Sequence, residues 1–256
     1  MRQSRPHIVE MPEGDTIFRT AATLHRALAG SKVTRFKTVL PKLASVDDQH
    51  RLTGRTIERV HAVGKHLLID FAGGLTLRTH MRMNGSWHIY RHGERWQRPA
   101  GDVRIVIETE AFVAAGFNIP VAEFTNETPD LGPDLLKENF DMNEALRRMR
   151  QHDGEEIGNV LLNQHVVAGI GNIWRAESLF AARVNPFRKV NDLDDTTIVN
   201  ILTISRKLLR ASALAEHPPR KSVYQGKLCR RCGSKIEYRK QGMDARGIYW
   251  CPRCQT

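Results

Sequence analysis

All four cysteines of this 256-residue chain fall within its last 28 positions, as Cys229-x2-Cys232 and Cys251-x2-Cys254 with 18 residues between the pairs. Each C-x2-C knuckle turns two thiols to one side, and two knuckles complete a tetrahedron. The C-terminal end should therefore fold as a small metal-clasped module, with one structural Zn2+ as the expected cofactor. Two disulfides are the alternative, disfavoured because the rest of the chain is free of cysteine and no secretory signal precedes it. Four thiolate ligands leave no position for water or substrate, and free thiols imply a reducing, cytoplasmic setting.

The remaining residues divide by hydrophobic period. Ile17, Ala21, Leu24 and Leu28 recur at helical spacing before Gly30, which predicts one leading helix. From Lys32 to about Glu123 the period shortens. Strands are predicted over Lys32 to Val39, Thr56 to Val63, His66 to Phe71, Leu75 to His80, Ser86 to Tyr90 and Val103 to Glu108, with Gly73-Gly74 and Asn84-Gly85 as turns. Short strands at this spacing predict a β-sandwich. Asn126 to Asp134 reads as a linker, and beyond it helices are predicted over Asp141 to Arg150, Glu155 to Asn163, Asn172 to Ala182 and Asp194 to Ala215. The fold class is thus α+β and multidomain: residues 11–125 a β-sandwich with a leading helix, 126–221 a helical domain, 222–256 a four-cysteine finger.

Lys plus Arg outnumber Asp plus Glu by 39 to 28, a formal charge of +11. Such an excess favours a polyanionic partner, nucleic acid above all, although a basic protein can also simply be a soluble one. No apolar run approaches the roughly 18 residues needed to span a bilayer.

Five short segments carry candidate chemistry. In Met11-Pro12-Glu13-Gly14-Asp15-Thr16, translation from Met11 followed by its removal would make Pro12 an N-terminal secondary amine. With a reference pKa near 7.7 to 8.0, such an amine can attack an electrophilic carbon and form a cationic iminium, and Glu13 can move the protons. The alternative is an ordinary helix N-terminus capped by Asp15 or Thr16. In Val63-Gly64-Lys65-His66, Lys65 sits at a hairpin tip, either presented to an anion or simply solvated. In His80-Met81-Arg82-Met83-Asn84-Gly85, Met83 is either an exposed apolar wedge or a core residue. The turn Ala168-Gly169-Ile170-Gly171-Asn172 can offer backbone amides to a phosphate at a helix N-terminus, or be a plain helix-helix turn with Asn172 as N-cap. Ala245-Arg246-Gly247 reads as a hairpin with Arg246 at its tip.

Together these segments, spanning residues 11 to 256, resemble the formamidopyrimidine-DNA glycosylase and endonuclease VIII family of base-excision repair enzymes, closer to the endonuclease VIII branch. The resemblance implies a helix-two-turn-helix domain in the middle and a bifunctional glycosylase and abasic-site lyase acting through a Schiff base on Pro12. It implies catalytic roles for Pro12, Glu13, Lys65 and Arg246, DNA contacts from Arg82, Met83, Gly171, Asn172 and Arg246, and zinc on Cys229, Cys232, Cys251 and Cys254. Damaged DNA, double- or single-stranded, is the expected partner of a monomer without redox cofactor or membrane association. Oxidised pyrimidines are the favoured substrates, because the segment Ala114-Ala115-Gly116-Phe117-Asn118-Ile119-Pro120, expected as a loop, lacks the Arg-x-Phe wedge pair of the oxidised-purine branch. Two positions depart from the pattern, Thr16 where relatives carry a glutamate and Asp130 where they often carry an arginine. Residues 1–10 depart too, since they would turn Pro12 into an amide, which points to Met1 as a misassigned start. With Pro12 blocked, the alternative is a DNA-binding protein without catalysis or one confined to abasic sites.

Overall fold

The computed structural model describes residues 12–127, 129–215 and 218–256. Residues 1–10 and the candidate start at Met11 lie outside the described residues. The chain forms two compact units, one of residues 12 and 16–127 and one of Glu13–Asp15 with Pro129–Thr256.

In the first unit, α1 (Gly14–Leu28) buries the four apolar positions that its sequence spaced helically, Ile17, Ala21, Leu24 and Leu28. Then come β1 (Arg35–Thr38), α2 (Pro41–His50), β2 (Ile57–Val63), β3 (His66–Phe71), β4 (Leu75–His80), β5 (Ser86–Arg91), β6 (Val103–Glu108), β7 (Phe112–Phe117) and β8 (Val121–Phe124). Two antiparallel four-stranded sheets result, in the orders β1-β6-β7-β5 and β2-β3-β4-β8. Phe36, Trp87, Ile105, Ile107 and Ala114 from the first and Ile57, Leu67, Ile69, Phe71 and Leu77 from the second share one core with α1. This is the expected sandwich.

Three elements had not been expected. Helix α2 buries only Leu43, so its sequence carries no helical stripe, and Pro41 at its first turn is its main local signal. Strand β7, Phe-Val-Ala-Ala-Gly-Phe, is buried at five successive positions and so shows no alternation. Strand β8 is only four residues long.

In the second unit, α3 (Met142–Arg150) is capped by Asp141, which accepts from the Glu144 amide at 2.9 Å, and α6 (Asp195–Leu214) by Asp194, which accepts from Thr197 at 2.7 Å. Between them lie α4 (Ile157–Val160) and α5 (Asn172–Ala182). Of the helix expected over Glu155 to Asn163 only one turn forms: the Ile157 and Gly158 amides donate outside it, to the carbonyls of Arg188 and Pro186 (2.8 and 3.0 Å), and beyond Val160 the Leu162 and Asn163 amides donate three residues back, to Asn159 and Val160 (2.9 and 3.1 Å), in tighter turns. The finger hairpin, β9 (Glu237–Gln241) and β10 (Arg246–Trp250), packs Ile248 and Trp250 with Val223, Ile236 and Cys251 onto Ala176 and Phe180 of α5. Gln255 closes that contact: it accepts from the Cys251 amide (2.8 Å) and donates to the Val184 carbonyl (3.0 Å).

The expected linker also has a structural part. Gly132 donates to the Gln164 carbonyl (2.9 Å), Ala168 to Pro133 (2.9 Å) and Leu135 to Ala168 (3.2 Å), so residues 131–135 brace the glycine-rich turn that precedes α5.

Candidate active site and nucleic-acid interface

Glu13 is 2% exposed, and its neighbours explain why a carboxylate can be so placed. One oxygen accepts from the Ile173 amide (2.7 Å), the other from Gly171 (3.0 Å) and Trp174 (3.2 Å). These amides open α5, where helix geometry leaves donors unpaired and the dipole favours an anion. The turn is shaped to admit Glu13. An ideal Cβ on Gly171 would sit 2.3 Å from the Glu13 Cδ, and one on Gly14 would sit 2.7 Å from the Gly169 carbonyl, to which the Gly14 amide donates at 2.9 Å. Gly169 itself lies at φ 103°. Gln164, which the sequence reading passed over, fixes the turn by donating to the Leu162 and Ile170 carbonyls and accepting from the Gly169 amide.

The turn therefore differs from its sequence-based reading. Its amides were expected to meet phosphate; they are occupied by a carboxylate from 158 to 161 residues away in the chain. Gly171 serves as the helix cap and the notch for Glu13, and Asn172 is the first helical residue. The Asn172 side chain is fixed instead by Arg175, whose Nη2 donates to its Oδ1 at 3.0 Å. Since arginine only donates, Oδ1 must face it, and the Nδ2 donors point elsewhere.

In the first unit, Lys65 occupies the β2–β3 turn beside Gly64, as expected. Arg82, Met83 and Asn84 form an exposed turn after β4. Met83 is 54% exposed while Met81 beside it is buried, which removes the core reading of Met83. The turn is tied by the Arg82 amide donating to His80 Nδ1 (3.0 Å) and the Gly85 amide to the Met81 carbonyl (2.9 Å). His80 reports the local charge: burial first, then His66, Arg82 and Lys65, push its pKa down to about 4. Lys65 and Arg82 thus act on one locality, a positive field suited to an anion. Thr16 lies in the first turn of α1, where its backbone carbonyl accepts from the Thr20 hydroxyl at 2.9 Å. Asp130 is exposed, 3.7 Å from His165.

In the second unit, Arg246 is exposed but stands one residue beyond the place expected for it. Residues 242–245 make the turn and Arg246 opens β10 opposite Gln241. Met243, fully exposed in that turn, was not singled out from sequence because nothing local distinguishes it from a core methionine.

The four cysteines converge as their spacing predicted. Their Sγ atoms all lie within 4.8 Å of one another, close to the roughly 3.8 Å that a tetrahedral ion with bonds of about 2.3 Å requires. Ser234 pulls the Cys232 thiol down to about 6, and hydrogen bonding from Cys232 pushes Cys254 up to about 12. Four thiols this close can hold one metal ion. Because the finger shares its apolar core with α5, Cys232→Ser should release the metal, loosen the hairpin and weaken DNA binding while the sandwich stays folded. Metal analysis together with hydrogen exchange tests this; a variant that loses metal yet keeps native protection in β9 and β10 would refute it.

Comparison with known proteins agrees with this architecture. Residues 11–118 match the formamidopyrimidine-DNA glycosylase N-terminal domain and residues 131–217 the formamidopyrimidine-DNA glycosylase H2TH domain. The chain is 38% identical to a probable endonuclease 8 2 of Streptomyces coelicolor, over 96% of this chain and 94% of that one. It is 33% identical to the DNA-(apurinic or apyrimidinic site) lyase Nei2 of Mycolicibacterium smegmatis, over 96% and 99%. In fold it superposes on Lactococcus lactis formamidopyrimidine-DNA glycosylase bound to abasic-site DNA with a TM-score of 0.84, at 22% identity over 96% of this chain and all of that one. The chain belongs to the formamidopyrimidine-DNA glycosylase and endonuclease 8 family. No helix among the described residues is long and apolar enough to cross a membrane.

Proposed function

We propose that this chain is a bifunctional DNA glycosylase and abasic-site lyase of base-excision repair, with Pro12 as nucleophile once the chain begins there. The observation that carries the reading is the buried Glu13 carboxylate, held by three amides and covalently next to Pro12. The N-terminal family match beginning at residue 11 supports Met11 as the start. In the mechanism, the Pro12 nitrogen bonds to C1′ of the damaged nucleotide as the bond to the base breaks, the base leaving with the electron pair and taking a proton from solvent. Glu13 takes the amine proton and delivers it to the sugar ring oxygen O4′ as the C1′–O4′ bond breaks, which leaves C1′ as an iminium. The resulting iminium draws electrons from C2′, whose proton leaves as the 3′ C–O bond breaks. Glu13 suits the transfers because the α5 amides fix its position.

Lys65 and Arg82 in one unit, and Arg246 and the Asn172 Nδ2 in the other, serve as contacts to backbone phosphates, and Met83 as the wedge that fills the space of the flipped base. The four cysteines hold zinc, which with four thiolates supplies folding energy and no open coordination position. The enzyme acts on cytoplasmic DNA, and oxidised pyrimidines are its preferred bases. Release of an oxidised pyrimidine from duplex DNA in preference to an oxidised purine checks the last point, and the reverse order would sink it.

DNA binding is checked by salt. Affinity should fall with a log-log slope of about −0.9 per phosphate neutralised on duplex DNA. Arg246→Ala should weaken binding across sequences and shallow the slope by roughly one. Met83→Ala should leave the slope near native and reduce excision from paired duplex more than from single strands, where no stack has to open. If Met83→Ala slows both substrates alike, the wedge lies elsewhere.

A further inference from the structure

The chemistry above gives no role to Arg175, a fully buried cation. Arg175, one turn into α5, is 0% exposed. Its Nη1 donates to the Gly158 carbonyl (3.3 Å) and Gln241 Oε1 (3.2 Å), its Nη2 to Asn172 Oδ1 (3.0 Å) and the Gly247 carbonyl (2.9 Å). A buried guanidinium is costly, and an aliphatic side chain of similar volume would pack α5 without that cost. Burial lowers its pKa to about 10, against the attraction of Glu13 and with the repulsion of Arg246. What the charge provides is a fork that reaches three elements at once.

The partners of that fork are not scattered. Gln241 is the cross-strand partner of Arg246, and Gly247 is the residue after it, so the guanidinium grips the hairpin on both sides of Arg246. Gln241 is itself immobilised, donating to Glu156 Oε2 and the Pro186 carbonyl, each at 2.8 Å. It packs so closely on α4 that a Cβ on Gly158 would sit 2.4 Å from its Oε1. The remaining partner, Asn172, opens the helix whose amides hold Glu13.

We propose that Arg175 is a positioning residue that locks the Arg246 end of the hairpin and the Asn172 side chain to the helix start holding Glu13, so that phosphate grip and excision chemistry share one frame. The proposal rests on the reading of Arg246 and Asn172 as phosphate contacts.

A double-mutant cycle of Arg175→Met with Arg246→Ala tests it, using metal-loaded protein and duplex DNA carrying a tetrahydrofuran abasic analogue, with Kd measured across salt. In the native background Arg175→Met should weaken binding on the order of tenfold and shallow the slope. In the Arg246→Ala background its effect should shrink to under about threefold, the part acting through Asn172, because coupled residues are not additive. Arg175→Lys keeps the charge but reaches fewer of the four oxygens; it should give an intermediate loss, and it carries the same cycle if the methionine variant fails to fold. A loss of equal size in both backgrounds, with metal content unchanged, would overturn the positioning role and leave the phosphate reading standing. Native affinity and slope in Arg246→Ala alone would overturn the phosphate reading, and the proposal with it.

Discussion

Protein that begins at Pro12 is expected to form a borohydride-stable crosslink to abasic-site DNA, and protein that retains residues 1–11 is expected to form none. The difference is chemical rather than steric. A free N-terminal amine with a pKa near 7.7 to 8.0 is roughly one-third unprotonated at pH 7.5. The same nitrogen in a peptide bond has its lone pair delocalised into the carbonyl and carries no nucleophilic pair. The comparison needs the two starts made in parallel, with intact mass confirming the first residue of each. Equal trapping by both would sink the assignment of Pro12 and leave a DNA-binding protein whose lyase, if any, uses another amine.

Gly171→Ala should abolish base excision almost as thoroughly as removal of Glu13, although it alters no ionisable group. The added methyl would sit 2.3 Å from the Glu13 Cδ, a separation at which something must move. Glu13 is the movable partner, because the Gly171 backbone is the cap of α5 and is held by the helix. A displacement of about 1 Å in a catalytic group costs on the order of a hundredfold. Glu13→Gln gives the reference: it keeps the size but places an NH2 group where both oxygens accept, and should lower excision by roughly 100- to 10,000-fold. Both variants should affect cleavage of a preformed abasic site less, since the glycosidic bond is already broken there. Single-turnover excision and lyase assays, with thermal melting to confirm folding, make the measurement. Native excision by Gly171→Ala would show that the amide cradle does not position the acid.

Much of this architecture was legible in sequence wherever the signal is local. Helix α5 begins and ends where the sequence placed it, its start marked by the Gly169-Ile170-Gly171 turn, and α6 lacks only its two flanking residues, because the Asp194 cap and periodic apolar positions mark it. The cysteine cluster was legible for the same reason, since ligand spacing is a local geometric statement. Strand β7 escaped because burial on both faces erases alternation, and α2 because Leu43 alone cannot make a stripe. For the candidate site the sequence offered residues but not their arrangement. Nothing near Gly171 says that its amide would meet a carboxylate rather than a phosphate. Both are anions suited to a helix N-terminus, and the choice is made by a segment 158 residues earlier. Arg175 was hidden likewise, inside a run that reads as an ordinary amphipathic helix.

With a metal ion on the four thiolates, the shared core of α5 and the finger would couple metal loading to acid placement. Ala176 and Phe180 lie one and two turns beyond the amides that grip Glu13, and their cover is the four-cysteine finger. Free energy from ion binding is folding free energy for such a module, so a share of it would reach the start of the helix as rigidity. Oxidants that convert these thiols to disulfides or sulfinic acids would eject the ion. An oxidative burst severe enough to reach the cysteines would then disarm excision along with DNA grip, which sets a ceiling on the stress under which this chain can keep repairing.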